Sequence, residues 1–176
     1  MEFFTIGSVI RNLMPRKSTV IERKASMQLL IENRQKKVTV GLRRLRQAVR
    51  KILLALDCND KEISLVLVDN EQIQAINKQY LNRDQPTNVI SFSQTEGEFG
   101  NIHPHIMGDV IISVERALSD SNTGGLNFDD ELDFLVMHGV LHLLGYNHEN
   151  TSKVEEQRMQ AKTEELFFTL KGYRIE

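Results

Sequence analysis

The sequence predicts an α+β fold: a four-stranded mixed sheet packed by four to five helices. Three observations carry this expectation. Four short β-rich runs are interleaved with segments whose apolar residues recur every three to four positions. The interleaving is not a strict strand–helix alternation, which points away from a purely parallel doubly wound sheet. With 176 residues, 40% of them apolar, the chain can build one core.

The elements follow in order. Residues 1–26 show no periodicity and are expected to form a loose arm ahead of a single domain over 27–176. Residues 27–32 read as the first strand, ended by the polar turn 33–37. Residues 41–57 read as a helix, with Leu42, Leu45, Val49, Leu53 and Leu54 inward. Residues 62–69 alternate and form the second strand. Asn70 is expected to cap a helix running to about Tyr80, with Ile73 and Ile76 inward. The polar loop 81–87 breaks at Pro86, and 88–92 is the third strand.

Residues 93–107 read as a long loop containing Gly97, Gly100 and Pro104, and 109–113 as the fourth strand. A helix from Val114 is broken at Gly124-Gly125. Asn127 is expected to cap the next helix, with Asp129, Asp130 and Glu131 in its first turn, where carboxylates complement the helix dipole. That helix runs to Leu144, with Leu135, Val136, Leu141 and Leu144 as core. A last helix spans 152–170, with Val154, Met159, Leu166 and Phe167 as its apolar side.

Composition excludes several classes. No run of about 18 apolar residues occurs, so no membrane span is expected. Residues 1–10 lack a basic leader and a small-residue cleavage site and are not read as a signal peptide. The single cysteine, Cys58, cannot form an internal disulfide, as expected in a reducing cytoplasm, and it follows an apolar run as a packing residue would. A net charge of −2 conceals an asymmetry: residues 1–51 carry 13 Lys/Arg against three Glu. Within this basic end, Arg43, Arg44, Arg46, Arg50 and Lys51 lie off the apolar face of their helix. They read either as an ordinary solvated face or as a phosphate-contacting stripe.

Chemistry concentrates in residues 137–149. His138 and His142 are four apart, on one face of the expected helix, and can bind one metal ion. Gly145 stops the helix in a left-handed turn that can return His148 to the same ion. Three neutral imidazoles suit one Zn²⁺ ion and leave one coordination position for solvent, the mark of a catalytic zinc. Water there is acidified towards a pKa of about 7 and can attack carbonyl carbon, phosphorus or an amidine carbon; the ligands alone do not choose. His103 and His105 flank Pro104 in the long loop and read as solvated. Asp109 is a candidate general base, or a cap at the strand end.

The spacing His138-x3-His142-x2-Gly145-x2-His148 matches the metzincin zinc helix, except that the position of the metzincin general base, directly after the first His, is Gly139. Instead, the stretch from His138 to His148 resembles the signature of the YbeY family of bacterial metal-dependent endoribonucleases. The segment Asn82-Arg-Asp-Gln-Pro-Thr-Asn-Val-Ile-Ser-Phe92 resembles that family's Pro-Thr-Asp/Asn-Val-Leu-Ser-Phe segment, and 108–113 resembles its Gly-Asp-Ile strand. The resemblance covers about residues 27–170. It implies a single-strand-specific endoribonuclease in ribosomal RNA maturation, including the 3′ end of 16S rRNA, and in ribosome quality control. It also implies zinc on His138, His142 and His148, and the ribosome or small subunit as partner.

The chain departs from the family pattern twice. Asn147 stands where the family has Asp, and Leu81 where it has an Arg lining the cleft, with Arg83 two residues on as the substitute cation. Two alternatives remain at this point: a metzincin-like metallopeptidase, and a non-enzymatic assembly factor in which zinc only holds the last helices together.

Overall fold

The computed structural model describes residues 26–95, 104–148 and 151–175. The expected arm over 1–26 therefore lies, but for residue 26, outside the described residues. Four strands form one sheet: β1 (Gln28–Asn33), β2 (Glu62–Val68), β3 (Val89–Ser93) and β4 (Ile106–Ser113). Five helices accompany them among the described residues: α1 (Leu42–Ala55), α2 (Asn70–Leu81), α3 (Val114–Gly124), α4 (Phe128–Leu143) and α5 (Lys153–Lys171). The strand order is β1-β2-β4-β3, with β1–β2 and β2–β4 parallel and β3–β4 antiparallel. The mixed sheet and the helix number are those the sequence predicts.

Alternation along the strands sorts the core into two parts. Leu65, Leu67, Val110 and Ile112 point to one face, where Leu45, Val49, Val136, Val140 and Phe167 of α1, α4 and α5 cover them. Val66, Val68, Ile90, Phe92 and Ile111 point to the other face, under Ile73 of α2. Tyr80 closes that side edge-to-face on Phe92, with ring centroids 5.6 Å apart. Helices on both faces explain why β2 and β4 are nearly continuous apolar runs.

Several local expectations are corrected. Asp69, not Asn70, caps α2: its carboxylate accepts from the Gln72 N–H at 2.9 Å. Asn70 instead accepts from the Ser113 hydroxyl at 2.8 Å, tying α2 to the end of β4. β4 begins at Ile106 rather than residue 109, because β2 offers main-chain partners to Ile106 and Gly108 across an irregular register. On α1, Ile52 is buried and Leu54 is 55% exposed, since two residues turn the helix through about 200°. Leu42 is exposed in the first turn of α1, as are Leu144 beyond the last turn of α4 and Val154 in the first turn of α5. No helix among the described residues is long and apolar enough to cross a membrane.

Candidate metal centre and its cleft

The helix that carries the centre is built from its own ends. Asn127 caps α4, accepting from the Asp130 N–H at 3.0 Å, and Asp129, Asp130 and Glu131 sit in its first turn. At the other end the Gly145 N–H donates to the His142 carbonyl and the Tyr146 N–H to the Leu141 carbonyl, both at 3.0 Å. This is a Schellman closure, and it requires the left-handed backbone that Gly145 supplies at φ +85°. The chain then doubles back, and His148 returns over the last turns of α4.

The result is a convergence of three rings. His142 Nε2 lies 3.2 Å and His148 Nε2 3.0 Å from His138 Nε2. One nitrogen from each of the three lies within 4.8 Å of the others, a group that could hold a metal ion. Nitrogens about 2.0–2.1 Å from one tetrahedral ion stand roughly 3.3 Å apart, so the two sides that meet at His138 are close to the length that zinc needs. Three lone pairs aimed at one point cannot all be satisfied by N–H donors of their neighbours, whereas one cation satisfies all three. The donor set therefore fits a borderline metal of the zinc type.

Outer contacts orient the rings. Asn147 Oδ1 lies 3.3 Å from His142 Nδ1, which leaves Nε2 of that ring for the centre. The Arg158 guanidinium of α5 sits over the Tyr146 ring, 4.9 Å from its centroid, and pins the turn that carries His148. Beneath the centre, α4 lies directly on the sheet: the Ser91 hydroxyl donates to the Gly139 carbonyl at 3.1 Å. A Cβ at Gly139 would fall 2.6 Å from Val110 Cγ1 and 3.0 Å from Ser91 Oγ. The position of the metzincin general base is thus filled by the sheet, and no glutamate side chain can occupy it.

His138, His142, His148 and Asn147 form one end of a cleft of about 760 Å³. Its walls are Asn77 and Leu81 of α2, Arg83, the segment 85–91, Ser93 and Arg116. Arg83 lines the same cleft as the histidines. Arg116 was not foreseen: it follows the Ser113 cap of α3, exposed in the first turn, and its side chain makes no hydrogen bond or ion pair among the described residues. No carboxylate lines the cleft among the described residues.

Other sequence candidates lie elsewhere. Asp109 is a buried residue opposite Phe92 and adjacent to Val110 on β4. Val110 faces α4, so alternation turns Asp109 to the opposite face of the sheet, which removes it as a general base. The α1 stripe does not line the cleft either. Arg44 instead pairs with Asp133 at 2.8 Å and donates to the Asp129 carbonyl, and Arg46 donates to the Leu29 carbonyl. Lys171 of α5 also reaches Asp133 and Asp130, so Arg44 and Lys171 hold α1, α4 and α5 together, while Arg46 ties α1 to β1. His105 is exposed, 3.5 Å from Asp60, and His103 lies outside the described residues. Cys58 is buried, and burial pushes its thiol above the usual range, the opposite of an activated nucleophile.

Fold and site together define a mixed α+β protein whose three convergent imidazoles could hold a metal ion. A family model described as Endoribonuclease YbeY matches residues 30–171, and the chain belongs to that family. Relatives named Endoribonuclease YbeY include one from Syntrophus aciditrophicus, 53% identical over 151 residues, covering 86% of this chain and 94% of the relative. Another, from Syntrophotalea carbinolica, is 49% identical over 137 residues, covering 78% and 91%. A third, from Geobacter sulfurreducens, is 44% identical over 146 residues, covering 83% and 97%. The solution structure of TM1509 from Thermotoga maritima shares the fold, with a TM-score of 0.54 at 23% identity over 82% of this chain and 93% of that one.

Proposed function

We propose that this chain is a zinc-dependent endoribonuclease that cuts single-stranded RNA in the maturation of the 16S rRNA 3′ end and in ribosome quality control. Its family is one of endoribonucleases, hydrolases of RNA phosphodiester bonds. The observation that carries the reading further is the union of three convergent imidazoles with two arginines in a cleft that no carboxylate lines among the described residues. Such a cleft attracts a polyanion and repels none of it. His138, His142 and His148 would hold one zinc ion, which when bound supplies Lewis acidity and acidifies water. Arg83 and Arg116 bind the phosphodiester and offset charge on its non-bridging oxygens. Asn147 fixes the His142 ring. The ribosome, or its small subunit, is the assembly on which this substrate is presented.

The metallopeptidase reading has no support in the geometry, because Gly139 is walled off by Val110. The assembly-factor reading asks for a closed fourth protein ligand, and among the described residues the histidine group contains only three members. Metal analysis of the purified protein, alongside cleavage of single- and double-stranded RNA with and without chelator, tests the proposal. Chelator-sensitive cleavage confined to single strands is expected, with His142→Ala losing both metal and activity. Undiminished cleavage by that variant overturns it.

A further inference from the structure

We propose that the groove between α4 and α5, on the other side of the histidines from the arginine cleft, is a subsite for one nucleobase of the RNA strand. The inference rests on the reading above and adds to it where the base beside the cut is read. The groove has a volume of about 420 Å³ and shares His138 and His148 with the cleft, so anything held there flanks the same centre. The two sides differ sharply in charge. Among the described residues, the cleft carries Arg83 and Arg116 and no carboxylate, and the groove carries Glu156 and Glu164 and neither Arg nor Lys. A phosphate is drawn to the first and repelled by the second, so the part of the strand that enters the groove is uncharged.

The groove wall suits a base. Phe134 is half-buried, its ring 6.1 Å from that of His138, and offers a stacking face beside buried Met159. Glu156, Gln160 and Glu164 stand at successive i, i+4 positions on α5 and present an exposed polar stripe along one edge. Gln160 donates to Glu164 at 3.0 Å, which orders the stripe and spends an amide N–H. Ionised carboxylates accept and do not donate. The stripe therefore prefers a base edge that offers amine N–H, and discriminates against one that offers a carbonyl. Cytosine and uracil are a pair that isolates this contact at position 4: they stack alike, but the first presents an N4 amine where the second presents an O4 acceptor and keeps only its N3–H to donate.

Binding of labelled, uncleavable 2′-O-methyl pentacytidylate and pentauridylate to the zinc-loaded full chain, read by fluorescence anisotropy, tests this. The wild type is expected to bind the cytosine oligomer about fivefold more tightly, the scale of one ordinary net hydrogen bond. Glu156 and Glu164 are exposed helix positions, so the E156A/E164A double variant keeps the fold and should bring the two affinities within twofold. Arg83→Gln should weaken both oligomers together and leave their ratio unchanged, because phosphate contacts position and base contacts specify. Equal affinities in the wild type, a ratio that survives the double alanine change, or no binding to either oligomer overturns the subsite. Cleavage of single-stranded RNA by the wild type is scored separately: cleavage without the cytosine preference sinks the subsite alone, and the preference without cleavage sinks the nuclease reading alone.

Discussion

Gly139 and Val110 are pressed together so closely that a single added carbon at position 139 would lie 2.6 Å from Val110 Cγ1. Valine has little freedom at χ1, so it cannot swing aside cheaply. Gly139→Ala should lower stability by about 1–3 kcal/mol, the usual cost of overpacking a filled core, despite the better helix propensity of alanine. The urea midpoint of the variant measures this. An unchanged midpoint would mean that α4 lifts off the sheet without penalty.

The centre should be graded by layer. His148→Ala removes one of three donors and should abolish stoichiometric zinc. Asn147→Ala removes only the contact to His142 Nδ1 and should weaken zinc affinity about 10–100-fold while leaving stoichiometry at saturation intact. Competition against a chromophoric chelator distinguishes the two outcomes. An Asn147→Ala protein with wild-type affinity would reduce that contact to a bystander.

Arg83 and Arg116 should each contribute a salt-dependent term to RNA binding. Replacing either by Gln is expected to reduce the slope of log affinity against log salt by about 0.7, the value per phosphate neutralised on a single strand. Arg50→Gln, at an exposed α1 position outside the cleft, should leave the slope unchanged. A slope that responds to Arg50 and not to Arg116 would move the RNA track to the α1 face.

Glu131 should make stability fall as pH rises. Burial, aided by the Asp120 charge, pushes its carboxyl up from 4.5 to about 7. The folded state then holds the proton more tightly than the unfolded one. Its contribution is complete below about pH 4.5 and is lost as pH climbs through about 7. After allowance for solvent screening, the wild type should lose about 1–2 kcal/mol from this group between pH 5 and 8, and Glu131→Gln should lose none of it. Urea titrations of both proteins at the two pH values supply the comparison. Parallel pH slopes would assign the effect to other groups.

These outcomes bear on what the chain discloses before it is folded. The histidine turn is legible because it is local: i, i+4 spacing, a glycine and three residues more decide the geometry. The sheet and helix number are legible from periodicity. Arg116 is not, because its place on the cleft depends on bringing 77–93, 116 and 138–148 together, and no short window contains that meeting. The α1 arginines mislead for the converse reason: Arg44 looks solvated until Asp133, 89 residues away, is laid against it. Asp109 misleads because strand parity chooses its face, and parity becomes meaningful only once Val110 is known to meet α4. Gly139 reads in sequence as a missing base, and its steric necessity appears only with the sheet beneath it.

Two of the imidazoles ride on a rigid cylinder and the third on a bend only a few residues long. The bend acts as a gauge block: its length alone sets how far the last donor stands from the other pair. One residue inserted between Gly145 and His148 would leave helix and sheet untouched yet detune the trio to a pair.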